Sequence, residues 1–213
     1  MSARRDAPPF QFDSASQQRL AGQLGIWVFL GTELMFFGPL FLAYAYLRML
    51  DSAGLAMAAR QTDLLLGTLN TVVLMTSSFA MAMAVSEART VRGPRTSLWL
   101  WTVAALGAAF LAVKGCEYAK DIASGFLRAN TGAPGGDTGQ LFRLLYFAMT
   151  GLHALHLCIG IALVVVFAVS FQRRGGHLAD AARVEVLGLY WHFVDIIWLF
   201  LFPILYLPGR SGS

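Results

Sequence analysis

Charged side chains are scarce: only 13% of the 213 residues are Asp, Glu, Lys or Arg, about half the ~25% usual for soluble domains. That shortage excludes a soluble globular protein, and the 57% hydrophobic share excludes a disordered one. Cysteine is nearly absent. The two present, Cys116 and Cys158, sit in or beside apolar stretches, so neither belongs to an extracellular disulfide framework or a paired-thiol zinc site. Residues 1–22 carry Arg4, Arg5, Asp6 and Arg19 without any apolar run, so they form no cleavable secretory signal. Nor do the basic residues gather on one face. They are spread over every loop, which argues against nucleic acid as a partner.

What the chain does have is long apolar runs and a mean hydropathy of +0.60. Five runs, residues 24–47, 64–85, 98–117, 144–171 and 186–207, reach the ~20 helical residues that cross ~30 Å of hydrocarbon. None alternates strictly between polar and apolar, and each is about twice the length of a barrel strand, so each should satisfy its backbone internally as a helix. The expected fold class is all-α: a polytopic membrane helix bundle with five transmembrane helices. It comprises a polar tail over 1–22, a membrane domain over 23–208 and a short tail over 209–213. Breakers separate the runs, at Asp51-Ser-Ala-Gly54, Arg92-Gly-Pro94, Thr131 to Gly136, and Arg173-Arg-Gly-Gly176. Nine of the 16 Lys and Arg residues fall on the side of the amino-terminal tail and seven on the other, counting Lys114. The positive-inside rule therefore favours a cytoplasmic amino terminus and, after five crossings, a carboxyl terminus on the opposite face.

Ionisable groups inside such spans cost ~2.5–3.5 kcal/mol each on insertion scales, so each needs a reason. Glu33 lies at the middle of the first run, too deep to snorkel, where the ionised form is disfavoured unless a cation or water reaches it. It reads either as a neutral acid hydrogen-bonded between helices or as a group handling protons or lipid. Lys114, Glu117, Tyr118 and Asp121 recur at helical spacing at the end of the third run, and can be an internal pair or a helix end whose charges reach the interface. Asn70 shares a stripe with Gly67, Leu74 and Ser77, a small-residue seam with one expected interhelical hydrogen bond. His153 and His156 are three apart with Met149 and Gly160 on the same stripe, and Gly188, His192 and Asp195 form another on the last run. A di-iron site would need Glu-x-x-His pairs, which are missing, and three intramembrane histidines could hold at most one haem. Structural histidines joined to Glu33 or Asp195 are the simpler expectation. The aromatic cluster of Tyr190, Trp191, His192, Phe193 and Trp198 reads as an interfacial belt or as a flank packed on a larger partner.

Five segments, taken in order, resemble subunit III of the haem-copper oxidases: Gly31-Thr-Glu-Leu-Met-Phe-Phe-Gly38, Leu69-Asn-Thr-Val-Val-Leu74, Lys114-Gly-Cys-Glu-Tyr118, Gly151-Leu-His-Ala-Leu-His156, and the stretch from Tyr190 to Phe200. The resemblance covers about residues 20–208 and is to the shorter bacterial members, which lack two helices present at the start of longer ones. It implies an accessory, non-catalytic subunit of the bacterial inner membrane that binds no redox metal. Such a subunit packs beside catalytic subunit I, with subunit II in the same complex, and holds phospholipid while helping to sustain proton uptake. Haem and copper would then sit in the partner. Glu33 matches the family's carbodiimide-reactive glutamate. His192 and Asp195 match the last-helix signature, and Glu117 and His153 match positions with lipid or packing roles. Gly151, Trp191 and Trp198 are the residues expected to pack on the partner.

Cytochrome c oxidase, quinol oxidase and a nitric oxide reductase-associated homologue all remain open as the parent complex. Two readings from other classes stand beside them. An independent haem carrier using His153, His156 and His192 would show a Soret band when purified alone. A proton-coupled transporter centred on Glu33 would catalyse flux in liposomes, although the chain lacks the paired interrupted helices usual in transporters.

Overall fold

Hydrocarbon leaves a spanning chain only two ways to pair its backbone, the helix and the closed barrel, and this chain takes the first. The computed structural model describes residues 15–90, 93–123, 136–174, 178–208 and 210. Among them lie six helices and no strand: α1 (Ala15–Leu50), α2 (Ser52–Ala59), α3 (Leu64–Arg89), α4 (Gly93–Ala123), α5 (Gly136–Arg174) and α6 (Leu178–Tyr206). All except α2 are long and apolar enough to cross a membrane. The five expected spans are therefore present, each longer than its apolar run. α5 has 39 residues, its helix continuing through the polar flanks on both sides of the apolar run. The breakers at Arg92, Thr131–Pro134 and Gly175–Gly176, most of the amino-terminal tail and nearly all of the carboxyl tail lie outside the described residues.

The stretch beginning at Asp51 ends α1 at Leu50, as a breaker should, and at once starts a second helix. Asp51 caps a helix there, its carboxylate accepting the Gly54 amide hydrogen at 2.8 Å, and α2 buries Leu55, Ala58 and Ala59 against α5. Asp63 performs the same service for α3 by accepting from the Leu66 amide at 3.2 Å. Both carboxylates satisfy amide groups that a helix start leaves without partners.

α3 packs against α4 and α6, α4 against α5, and α5 against α6, while α1 meets α2, α5 and α6. α1 is also the least covered span, with 11% of its most apolar window buried by the rest of the chain. Lipid is as apolar as leucine, so close approach rather than water exclusion must hold such helices together. Glycine provides that approach where α6 carries large rings. A Cβ on Gly67 would lie 2.8 Å from Tyr206, one on Gly107 3.0 Å from Trp191, and one on Gly160 3.1 Å from both Trp191 and Tyr190. Pro39 and Pro203 lie inside α1 and α6, a placement tolerated in membrane helices.

Two outcomes follow from these contacts. Gly67→Ala should cost about 1–3 kcal/mol through overpacking against the Tyr206 ring, whereas Gly115→Ala, with open space around the new methyl, should be neutral or stabilising by up to ~1 kcal/mol. Denaturation of the two variants in mild detergent ranks them. Asp51 lies outside the spans, and the Gly54 amide, followed by the Thr138 hydroxyl, holds its carboxyl below the usual aspartate value. The cap is thus fully formed above the ordinary pKa of ~3.9 and is lost as pH falls through the lower folded value. Hydrogen exchange in α2, corrected for intrinsic rate, should accelerate only in that acid window. Asp51→Asn should abolish the pH dependence while keeping protection.

Candidate functional site

Three groups of intramembrane polar side chains join helices through side-chain contacts, all built on α5 and α6 or on their neighbours. The first joins three helices around Lys114. Its ammonium donates to Glu117 Oε2 at 3.0 Å, to Tyr146 Oη at 3.1 Å and to the Tyr206 hydroxyl. Tyr146 and Tyr206 in turn donate to Glu117 Oε1 at 2.7 and 2.6 Å. Lys114 and Glu117 are 3% and 1% exposed, so the helix-end reading of this face is overturned. The charges face inward because α4 turns that side toward α5 and α6, where two phenols wait. The rings of Tyr118 and Trp198 also lie 5.5 and 5.2 Å from the ammonium, within cation–π range. The Tyr118 hydroxyl bonds Thr150, which donates to the Tyr146 carbonyl at 2.6 Å.

The second group bridges α1 and α5. Glu33 Oε2 lies 2.8 Å from His156 Nε2, with 15% and 13% of the two side chains exposed. The other ring nitrogen, Nδ1, lies 2.8 Å from the Leu152 carbonyl oxygen. Tyr190 on α6 donates its hydroxyl to the His156 carbonyl at 2.8 Å, and the Phe37 ring sits 5.6 Å from the imidazole. Of the two carboxylates expected to meet a histidine, Glu33 does so.

The third group is the seam between α3 and α6. Trp191 Nε1 donates to Ser77 at 3.2 Å and Trp198 Nε1 to Thr71 at 3.1 Å, while Ser78 Oγ and His192 Nδ1 are 2.8 Å apart. The seam of small residues forms as expected, but the interhelical hydrogen bond expected of Asn70 does not. Indole N–H groups reach Thr71 and Ser77 instead, and both polar atoms of Asn70 have no hydrogen-bond partner among the described residues. The same holds for both ring nitrogens of His153 and both carboxyl oxygens of Asp195, which has Ser78 for its neighbouring hydroxyl. His153 is held by rings, with Phe110 at 5.6 Å and Trp198 at 5.1 Å. Trp191 and Trp198, both fully buried, turn into this chain's own interior and leave no ring face for another subunit. Gly151 is half-buried, with the Tyr118 hydroxyl 3.9 Å from where its Cβ would be.

Tyr146, Tyr206 and Ser78 escaped the sequence. Tyr146 could have been found by extending the Met149 and His153 stripe one step back, whereas nothing marks Tyr206 as facing Lys114, 92 residues away. Among the described residues no three His, Cys, Asp or Glu side chains converge as a metal-ligand set.

Residues 11–210 of the chain match the family described as cytochrome c oxidase subunit III. The chain belongs to that family. It is 36% identical to cytochrome c oxidase subunit 3 of Thermostichus vulcanus, covering 88% of this chain and 87% of the relative. It is 31% identical to cytochrome c oxidase subunit 3 of Alkalihalophilus pseudofirmus, over 89% and 87%, and 31% identical to quinol oxidase subunit 3 of Bacillus spizizenii, over 89% and 88%. This subunit III chain thus has relatives named for both electron donors.

The buried ion pair makes a prediction of its own. Lys114→Met leaves the Glu117 carboxylate enclosed without its cation and should cost about 3–5 kcal/mol, and Glu117→Gln, which strands the ammonium, should cost a similar amount. The Lys114→Met/Glu117→Gln double variant should lose far less than the sum, because no buried charge is left alone. Additive losses in detergent unfolding would rule out coupling.

Proposed function

We propose that this chain is the accessory subunit III of a bacterial respiratory haem-copper oxidase, supporting assembly, phospholipid binding and sustained proton uptake by the catalytic subunit. The observation that carries the reading is the family match across residues 11–210, supported by the placement of Glu33 beside His156 at mid-span. In this reading haem and copper sit in catalytic subunit I, with subunit II beside it. The membrane domain of 23–208 lies in the inner membrane with its amino terminus cytoplasmic and its carboxyl terminus periplasmic.

Its residues suit a non-redox role. A haem ligand needs a ring nitrogen that opens onto the haem face. His153 is instead wedged between Phe110 and Trp198, while His156 and His192 face Glu33 and Ser78. Glu33 is the group suited to protons. It sits on the side of α1 that meets α5, with 15% of its side chain still exposed.

Hydrophobic carbodiimides partition into lipid and react with protonated carboxyls. In the intact oxidase they should label Glu33 ahead of Asp51, Asp63 or Glu185, because Asp51 and Asp63 are bound to amide hydrogens and Glu185 is paired with Arg89 at 2.8 Å. Glu33→Ala should leave early turnover near wild type but shorten its duration several-fold, with haem content unchanged. Glu33→Gln separates protonation from packing: decay like that of Glu33→Ala supports proton handling, and wild-type durability rejects it. Loss of stoichiometric haem on removing the subunit would reject the metal-free assignment.

A further inference from the structure

The hydrogen-bond pattern around His156 fixes more than a contact. A carbonyl oxygen can only accept, so the 2.8 Å approach of Nδ1 to the Leu152 carbonyl requires a hydrogen on Nδ1. In a neutral imidazole that leaves Nε2 as a bare lone pair, and Nε2 is the atom 2.8 Å from Glu33 Oε2. A carboxylate oxygen and an imidazole lone pair at that separation repel each other. A proton must lie between them.

Two protons would be too many. A neutral acid beside an imidazolium carries a net positive charge at the middle of a span, and that charge is costly without a counter-ion. The neighbouring ionisable groups provide none as they stand: Tyr190 on α6, which donates its hydroxyl to the His156 carbonyl, and His153, one turn earlier on α5 and set between the rings of Phe110 and Trp198. With one proton the pair is neutral in either arrangement. Transfer from Oε2 to Nε2 breaks one O–H bond and forms one N–H bond, turning acid and imidazole into carboxylate and imidazolium with no change in total charge.

We propose that Glu33 and His156 form a single-proton binding site, one exchangeable proton held between Oε2 and Nε2 at the α1–α5 contact. The site deepens the proton-handling reading of Glu33 and rests on it for its use in turnover, but its proton count is a property of the resting protein. Glu33 binds the proton from one side and His156 from the other, with the Leu152 carbonyl fixing the tautomer and so positioning the acceptor lone pair. His156 is thus not a spectator of the carboxyl but half of the site.

The test counts protons in the resting wild-type complex at neutral pH, labelled with ¹³C at glutamate carboxyls and ¹⁵N at histidine. Solid-state NMR identifies the pair by the ¹³C–¹⁵N coupling between Glu33 and His156 Nε2, so no variant need fold. The ¹⁵N shifts give the proton occupancy of Nδ1 and Nε2, and the carboxyl shift, checked by the isotope-sensitive infrared carboxyl band, gives that of Glu33. Full occupancy at Nδ1, with occupancies at Nε2 and Glu33 that sum to one, is the expected result whichever side the proton favours. A sum of zero or two, or an unprotonated Nδ1, overturns the proposal. His156→Gln, which removes the second proton position but keeps a hydrogen-bonding amide, should leave Glu33 wholly protonated, and a carboxylate there would overturn it equally. Turnover plays no part in these readouts. A correct count with undiminished durability in Glu33→Gln would therefore reject the proton-uptake role while leaving the site standing.

Discussion

An ammonium and a carboxylate enclosed in a hydrophobic bundle persist only if each keeps a full set of partners, and that demand at Lys114 and Glu117 organises the bundle. Three helices contribute to the solution: α4 the charges, α5 Tyr146 and α6 Tyr206. The phenols act in both directions, receiving from the ammonium and donating to the carboxylate, so each charge is met by groups of the opposite sense. α3 joins it through an absence, since Gly67 has no side chain to displace the Tyr206 ring.

The Glu33 and His156 pair obeys the same electrostatics under looser enclosure. The Lys114 cluster is sealed by neighbours on three helices, whereas the Glu33 pair lies at the edge of the helix that the bundle covers least. Burial and exposure thereby divide the polar groups. The enclosed cluster ties three helices together, whereas the less buried pair adds a single bridge between α1 and α5.

Much of this was legible in the chain. Five apolar runs gave five spans, because length and hydropathy decide whether a helix can cross a bilayer. Deep placement of Glu33, and the spacing of His153 and His156, pointed to a carboxyl and a histidine that could meet. Three features were not legible, each for a physical reason. Asp51 reads as a turn residue or as a helix cap depending on what its neighbours can bury, and the apolar residues Leu55, Ala58 and Ala59 settled it in favour of a cap. The charged face of α4 has the same periodicity whether it meets water or phenols, and only the distant Tyr206 distinguishes the two. The inward turn of Trp191 depended on glycines at 107 and 160 in other helices, and that of both indoles on hydroxyls at Ser77 and Thr71 to receive their N–H groups.

The antiparallel pair α3 and α6 is fastened near both membrane faces by arginine. At one end Arg89 of α3 meets Glu185 of α6 at 2.8 Å. At the other, Arg210, just past α6, donates to the carbonyls of Arg60 and Thr62 ahead of α3 at 2.8 and 2.5 Å, and to that of Tyr206 at 2.8 Å. Between them the indoles of Trp191 and Trp198 act as crossbars. A pair bolted at both ends resists sliding along its own axis, because a shift of one helical step would have to undo both fastenings together. Adaptation to a thicker or thinner bilayer would then fall to tilting of the whole unit, with α1 as the span least constrained to follow it.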